Sequence, residues 1–169
     1  MRIYLVGYMY SGKTTLGRQL ARRIGYSFHD LDIAFEERYH CTVPLFFQKY
    51  GEEAFRKLEQ QMLHRSTQLD NTIISTGGGT PCFFDNMDFI NRNGISVYLE
   101  MSQEALISRM SASRKPRPVF ANLSDEERSA RLTKQLQQRL PYYQKAHITI
   151  NAFNPDADAL AATIKKYLI

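Results

Sequence analysis

Cysteine is scarce in this chain. Cys41 and Cys82 are the only two among 169 residues, and they lack the spacing of a metal or redox pair. That excludes a disulfide-stapled scaffold and leaves two reduced thiols, as expected of a cytoplasmic protein. Long apolar runs are missing as well: no stretch reaches the roughly 18 residues that a membrane helix needs, so no membrane partner is expected. The first residues enter an apolar strand without the charged and apolar regions or the cleavage site of a signal peptide. Runs of like charge are also absent. Lys and Arg outnumber Asp and Glu by 22 to 17, but the arginines are scattered as Arg22, Arg56, Arg114, Arg117 and Arg139, which favours discrete anion sites over a stripe tracking nucleic acid. Without internal repeats or a low-complexity linker, and at 43% hydrophobic content, residues 1–169 are expected to form one domain, working as a monomer.

Short apolar runs alternate with helical patterns. Ile3 to Val6, Ser27 to Phe28, Thr72 to Ser75, Ile95 to Leu99 and Ile148 to Ile150 read as strands. This alternation predicts an α/β fold in three layers, αβα, with a central five-stranded parallel sheet. Leu16, Leu20 and Ile24 give one apolar helix face with Gly25 as its stop. Leu160, Ile164 and Leu168 give another, with Asn154 expected as N-cap and Pro155 at the first helical position. From 111 to 123 the chain reads SASRKPRPVFANL, too rich in Pro and Arg for a helix interior, and a mobile lid is expected there. Ser124-Asp-Glu-Glu forms a capping box opening a helix that carries Leu132, Leu136 and Leu140, which Pro141 is expected to bend or end.

Gly7 to Thr14 reads GYMYSGKT and fits Gly-x-x-x-x-Gly-Lys-[Ser/Thr], placed between a predicted strand and a predicted helix as a phosphate-binding loop requires. Gly7 and Gly12 let the backbone wrap closely enough for its N–H groups to face phosphate oxygens, and the following helix adds its positive end. Lys13 would reach the outer phosphates and the Thr14 hydroxyl would ligate Mg2+, with Ser11 and Thr15 completing the nucleotide-binding set. The ligand class is ATP or GTP. The loop alone does not say which group receives the phosphoryl.

Residues toward an acceptor follow. Asp30 and Asp32, in HDLDIAF, lie just after the second strand, at the carboxyl edge where open α/β sheets bind ligands. One carboxylate facing magnesium and one facing an acceptor hydroxyl suits phosphoryl transfer, although Asp also caps helices. Arg56 lies one turn from Glu59 in EAFRKLE, either as a solvent-exposed ion pair or with Glu59 aiming Arg56 at an anion. Gly77, Gly78 and Gly79 end the third strand in a form that a plain turn rarely needs, which suggests close approach of backbone to a ligand. Ser75, two residues earlier, would hold a magnesium-bound water or simply end a strand.

Taken in order, GYMYSGKTT, DLD, FRKLE, GGG, KPRP, RLPYY and the late Asn154-Pro155 resemble the shikimate kinases, small members of the nucleoside monophosphate kinase group with P-loop NTPase architecture. The resemblance runs nearly end to end. It implies ATP-dependent phosphorylation of the 3-hydroxyl of shikimate in chorismate and aromatic amino acid biosynthesis, with Mg2+ accompanying ATP, a substrate-binding segment at about 31–60 and a lid at about 111–123. By resemblance Asp30 sits near the metal through water, and Asp32 holds the attacking hydroxyl and would, as a base, deprotonate it. Arg56 and Arg139 clamp the substrate carboxylate, for which a planar guanidinium fork is suited. Gly77 to Gly79 lie against the ring, and Phe47 and Phe55 wall the pocket. Arg117 swings from the lid over the transferring group, and adenine lies between Arg109, Met110 and the loop around Pro155.

Three features depart from the family pattern. Tyr10 stands where a small residue is usual, the lid reads RPVF where a leucine pair is common after Arg-Pro, and TPCFFDN follows the glycines. Arg114 and Lys115 also crowd Arg117. Two alternatives fit the motifs less well. A gluconate kinase shares the loop and an early Asp pair, but its acceptor lacks the ring carboxylate that two arginines would suit. A non-enzymatic nucleotide-binding module would want a guanine-reading Asn-Lys-x-Asp, which is absent.

Overall fold

Because several of the strand sequences are apolar on both faces, they can be satisfied only inside a sheet covered on both sides. The computed structural model, which describes residues 1–113, 120 and 122–167, has five such strands: β1 (Arg2–Val6), β2 (Ser27–Asp30), β3 (Thr72–Ser75), β4 (Ile95–Glu100) and β5 (Ile148–Asn151). They pair in the order β2-β3-β1-β4-β5, and every pairing is parallel. Ile3, Tyr4, Leu5, Val6, Ile73, Ile74 and Val97 have no exposed surface at all. Helices flank the sheet, as the alternating pattern predicts.

The strand order fixes where a ligand can sit. From β1 the chain passes through α1 (Lys13–Ile24) to β2 on one side; from β3 it crosses through α4 (Asn86–Asn93) to β4 on the other. The connections therefore diverge at the carboxyl ends of β1 and β3 and leave a crevice there.

Between β2 and β3 run α2 (Leu31–Tyr39) and α3 (Val43–Arg65). Leu31 and Leu63, at the outer ends of the pair, join the main core, while between them Phe35, Phe46 and Phe55 make a small separate aromatic one, with Phe35 edge-on to Phe46 at 5.2 Å and to Phe55 at 4.9 Å. Edge-to-face rings of this kind add about 0.5–1.5 kcal/mol beyond the area they bury. Helix α3 is broken at Gly51, whose φ of 82° and ψ of 169° are not helical and belong to a region that side chains disfavour.

The remaining helices are α5 (Gln103–Ala112), α6 (Asp125–Tyr143) and α7 (Ala157–Lys166). The capping box forms as read: the Ser124 hydroxyl accepts from the Glu127 N–H and the Glu127 carboxylate accepts from the Ser124 N–H. Three details differ from expectation. Asp156, not Asn154, caps α7, because its carboxylate accepts from the N–H groups of Asp158 and Ala159, so Pro155 stands before the cap instead of opening the helix. Pro141 does not stop α6, which continues to Tyr143. Ser111 and Ala112, expected in the lid, are the last turn of α5. Arg114, Lys115 and Arg117 lie outside the described residues, as does Leu168.

Candidate active site

On the donor side, the loop after β1 needs its glycines. Gly7 has φ 145°, and a methyl group there would lie 2.9 Å from the Leu99 carbonyl oxygen; Gly12, at the start of α1, has φ 92°. Lys13 is folded back into the bowl of the loop, where its buried ammonium donates to the carbonyls of Gly7 (2.7 Å) and Tyr8 (3.0 Å). Tyr10 occupies the left-handed region at φ 69°, a conformation that costs a non-glycine residue about 1 kcal/mol or more. Its carbonyl is held by Arg109 Nη1 at 3.1 Å, while its hydroxyl and that of Ser11 are buried without a partner. Thr15 is exposed on the first turn of α1.

At the neighbouring strand end, Asp30 caps a helix and also meets Thr14. One carboxylate oxygen caps α2 by accepting from the N–H groups of Asp32 and Ile33, and the other accepts from the Thr14 hydroxyl at 2.8 Å. This hydroxyl–carboxylate pair is a set of hard oxygen donors of the type Mg2+ prefers. Among the described residues no group of three or more His, Cys, Asp and Glu comes together, which is consistent with a cation that draws further oxygens from nucleotide phosphates and water.

The acceptor side is organised by the three glycines after β3. A methyl group on Gly77 would lie 3.0 Å from Asp32 Oδ1 and 2.8 Å from Glu59 Oε1. One on Gly78 would lie 3.2 Å from the Met9 nitrogen and 3.5 Å from Arg139 Nη1, and one on Gly79 would lie 2.6 Å from Arg56 Nη2. Side chains at Gly77 and Gly79 would collide with polar groups of α2 and α3, and one at Gly78 would crowd the phosphate loop and touch Arg139. The missing Cβ atoms therefore bring Asp32, Arg56 and Arg139 to one place, beside the phosphate loop.

Arg56 and Glu59 are not an exposed surface pair. Both are buried, with Nη1 donating to Glu59 Oε2 at 2.8 Å. Glu59 also accepts from the Thr80 hydroxyl at 2.6 Å, and the Thr80 carbonyl is held by Asn86. The guanidinium lies against the rings of Phe83 (4.1 Å), Phe55 (5.2 Å) and Phe47 (5.6 Å), contacts that favour a cation and fix its plane. Two further donors, Nε and Nη2, go to Glu52.

Arg139, from α6, rests over the ring of Tyr8 at 5.3 Å, and its Nη1 is buried without a partner among the described residues. An unpaired buried guanidinium nitrogen is costly unless an anion is meant to meet it. Tyr143 donates its hydroxyl to the Gly78 carbonyl and so fixes the glycine backbone. Burial pushes the Tyr143 phenol upward, and the Tyr8 phenol up to about 12, against the opposing charge of Arg139; both stay protonated donors, Tyr8 to Gln135 at 2.7 Å. Burial likewise raises the Cys82 thiol to about 11.

Ser75 is buried at the end of β3. Arg109 Nη2 donates to the carbonyls of Ala152 and Phe153 at 3.2 Å, which brings α5 to the loop holding Pro155. Reading the residues one at a time passes over Thr80, Phe83, Tyr8 and Tyr143. Each lies in or beside a motif that the sequence offers, Tyr8 in the phosphate loop, Thr80 and Phe83 in TPCFFDN after the glycines and Tyr143 in RLPYY, but none stands at a position that the phosphate-loop pattern or an anion clamp calls for.

Comparison with known proteins gives a consistent result. A family model described as shikimate kinase matches residues 9–168. A shikimate kinase of Parabacteroides distasonis is 49% identical over 151 residues, 89% of this chain and 87% of that one. A crystal structure of shikimate kinase from Bacteroides thetaiotaomicron superposes with a TM-score of 0.91 at 39% identity, covering 99% of this chain and 98% of that one. One from Acinetobacter baumannii, in complex with shikimate, gives 0.85 at 36% identity, covering 99% and 92%.

Proposed function

The chain belongs to the shikimate kinase family, and we infer that it transfers the terminal phosphoryl group of ATP to the 3-hydroxyl of shikimate, giving shikimate 3-phosphate and ADP on the route to chorismate and the aromatic amino acids. The observation that carries this reading is the convergence of Asp32, Arg56 and Arg139 on the backbone of Gly77 to Gly79, next to Met9 of the phosphate loop. A small anion held there has its hydroxyl close to the loop that grips the nucleotide.

The roles follow from the chemistry of each group. Gly7, Ser11, Gly12, Thr14 and Thr15 hold the phosphates, and the loop around Pro155 borders the adenine. Lys13 exchanges its two carbonyl partners for phosphate oxygens and neutralises charge that grows during in-line transfer. Thr14 directly, with Asp30 and Ser75 through water, would hold a Mg2+ that shields the phosphate charges. Asp32 orients the attacking hydroxyl and accepts its proton. Arg56 and the unpaired Nη1 of Arg139 take the ring carboxylate, and Gly77 to Gly79 let the ring lie flat on the backbone. Arg117, beyond the described residues, is assigned to the transferring phosphoryl group. In this reading residues of about 31–60, in α2 and most of α3, form the substrate-binding segment, and 113–123 the lid of a single-domain monomer. It would act in the cytoplasm on two small molecules and no nucleic acid. Among the described residues no helix is long and apolar enough to cross a membrane.

Steady-state ADP release with shikimate, gluconate or no acceptor tests the assignment. Shikimate should be turned over at least about a hundredfold faster than either alternative, because gluconate cannot present a ring carboxylate to both arginines. Equal rates with gluconate, or with water alone, would overturn it.

A further inference from the structure

Arginine carries five N–H donors, and in Arg56 three of them are committed: Nη1 to Glu59 at 2.8 Å, and Nε and Nη2 to a single oxygen of Glu52 at 3.2 and 3.0 Å. The two carboxylates are not equivalent. The Glu59 side chain is 5% exposed and is itself held by Thr80, whereas the Glu52 side chain is 55% exposed. Glu59, the Gly79 backbone and the rings of Phe47, Phe55 and Phe83 already fix the plane of the guanidinium. Glu52 is therefore not needed to aim it. What Glu52 adds is a negative charge on the edge of a cation that must receive another negative charge.

We propose that Glu52 is a stand-in carboxylate: it occupies two N–H donors of Arg56 before the acceptor binds and competes with the carboxylate of the acceptor for the same guanidinium. Glu59 already balances the charge of Arg56, but buried N–H donors left unmet are costly, so the pairing with Glu52 stabilises the protein until an acceptor replaces it. The same pairing opposes acceptor binding. Local structure suits an arm that lets go. Gly51 breaks α3, and Glu52 follows it directly, one turn ahead of Arg56. A released carboxylate there meets water and the N–H groups at the start of the resumed helix, which favour negative charge. Acceptor affinity is thus set below what the arginine clamp alone would give, in return for a site that holds its shape while empty.

The proposal rests on Arg56 as an acceptor-binding residue, and the experiment separates the two. Shikimate is titrated calorimetrically into wild type, Glu52→Gln, Arg56→Ala and the double variant, with thermal unfolding of each ligand-free protein. Glu52→Gln should lower the melting temperature yet tighten shikimate binding about two- to fivefold, the scale of one half-exposed ion pair. That gain should vanish in the Arg56→Ala background. Loss of a merely structural contact would instead weaken stability and affinity together. If Glu52→Gln leaves affinity unchanged or weaker while Arg56→Ala abolishes binding, the stand-in role is wrong and the acceptor role of Arg56 survives. If Arg56→Ala binds shikimate as wild type does, the acceptor role falls and this proposal with it. Should Glu52→Gln not fold, Glu52→Asp, which keeps the charge but shortens its reach, should tighten binding in the same direction; unchanged affinity there counts against the proposal.

Discussion

The proposed donor side of the site comes from one unbroken stretch, Gly7 to Thr14, with Asp30 as its near neighbour, whereas the proposed acceptor side draws Asp32, Arg56, Gly77 to Gly79 and Arg139 from four segments. The first is held by its own short-range contacts, Lys13 to the carbonyls of Gly7 and Tyr8. The second holds only because a chain of side chains, Arg56 to Glu59 to Thr80 to Asn86, locks α3 to the turn after β3. A local grip on phosphate can be shared by many enzymes. The acceptor is chosen by the part that needs the whole fold.

Substitutions can break this contrast, and the largest effect belongs to the donor side. Lys13→Met should reduce turnover by about 10²- to 10³-fold with a much smaller change in the shikimate KM, because its charge matters most where phosphate oxygens gain charge; steady-state kinetics with both substrates varied checks this. Arg139→Ala should raise the shikimate KM about 10- to 100-fold, the scale of hydrogen bonds to a charged group, and leave the ATP KM near its starting value. Because Nη1 of Arg139 has no hydrogen-bond partner among the described residues, the same variant should lose little melting temperature, and that loss should come from the contacts of Arg139 with Tyr8 and Tyr143. Equal effects on both Michaelis constants would remove Arg139 from the acceptor side.

A milder change sharpens the comparison. Thr80→Val removes the hydroxyl that Glu59 accepts from while keeping the side-chain shape, and should lower the melting temperature by roughly 2–10 °C. The shikimate KM should rise several-fold through a less firmly held Arg56, with the ATP KM unchanged. Smallest is His29, at the rim of a cavity of about 240 Å3 that it lines with Arg18, Phe28 and Glu37. Burial lowers its pKa below the ordinary 6.5, against the pull of Asp30 and Glu37. The folded protein then binds fewer protons than the unfolded chain just below pH 6.5, so stability should fall slightly as pH drops through that window. An NMR titration should find the His29 midpoint below 6.5.

The same contrast explains what could be read without coordinates. All five strands were legible because apolar runs bounded by glycines and helical patterns leave few alternatives, and the phosphate loop was legible because its residues are contiguous. The meeting of Asp32, Arg56 and Arg139 at the glycines is legible only through the family resemblance and not from the residues themselves: nothing in FRKLE says that Arg56 and Glu59 are buried. That depends on Phe83 and Thr80 arriving from the turn after β3. The α7 cap was misplaced because Asn154, Pro155 and Asp156 each suit a helix start, and only the backbone shows that Asp156 accepts from the first free N–H groups. Pro141 was given too much weight as a stop, since α6 carries it to within one turn of its end.

A crystal structure with ADP and shikimate bound tests the central claim most directly. The account predicts the shikimate carboxylate between Arg56 and Arg139, its ring on the backbone of Gly77 to Gly79, and its 3-hydroxyl beside Asp32, facing the phosphate loop. A ring bound elsewhere, or a carboxylate touching neither arginine, would contradict it.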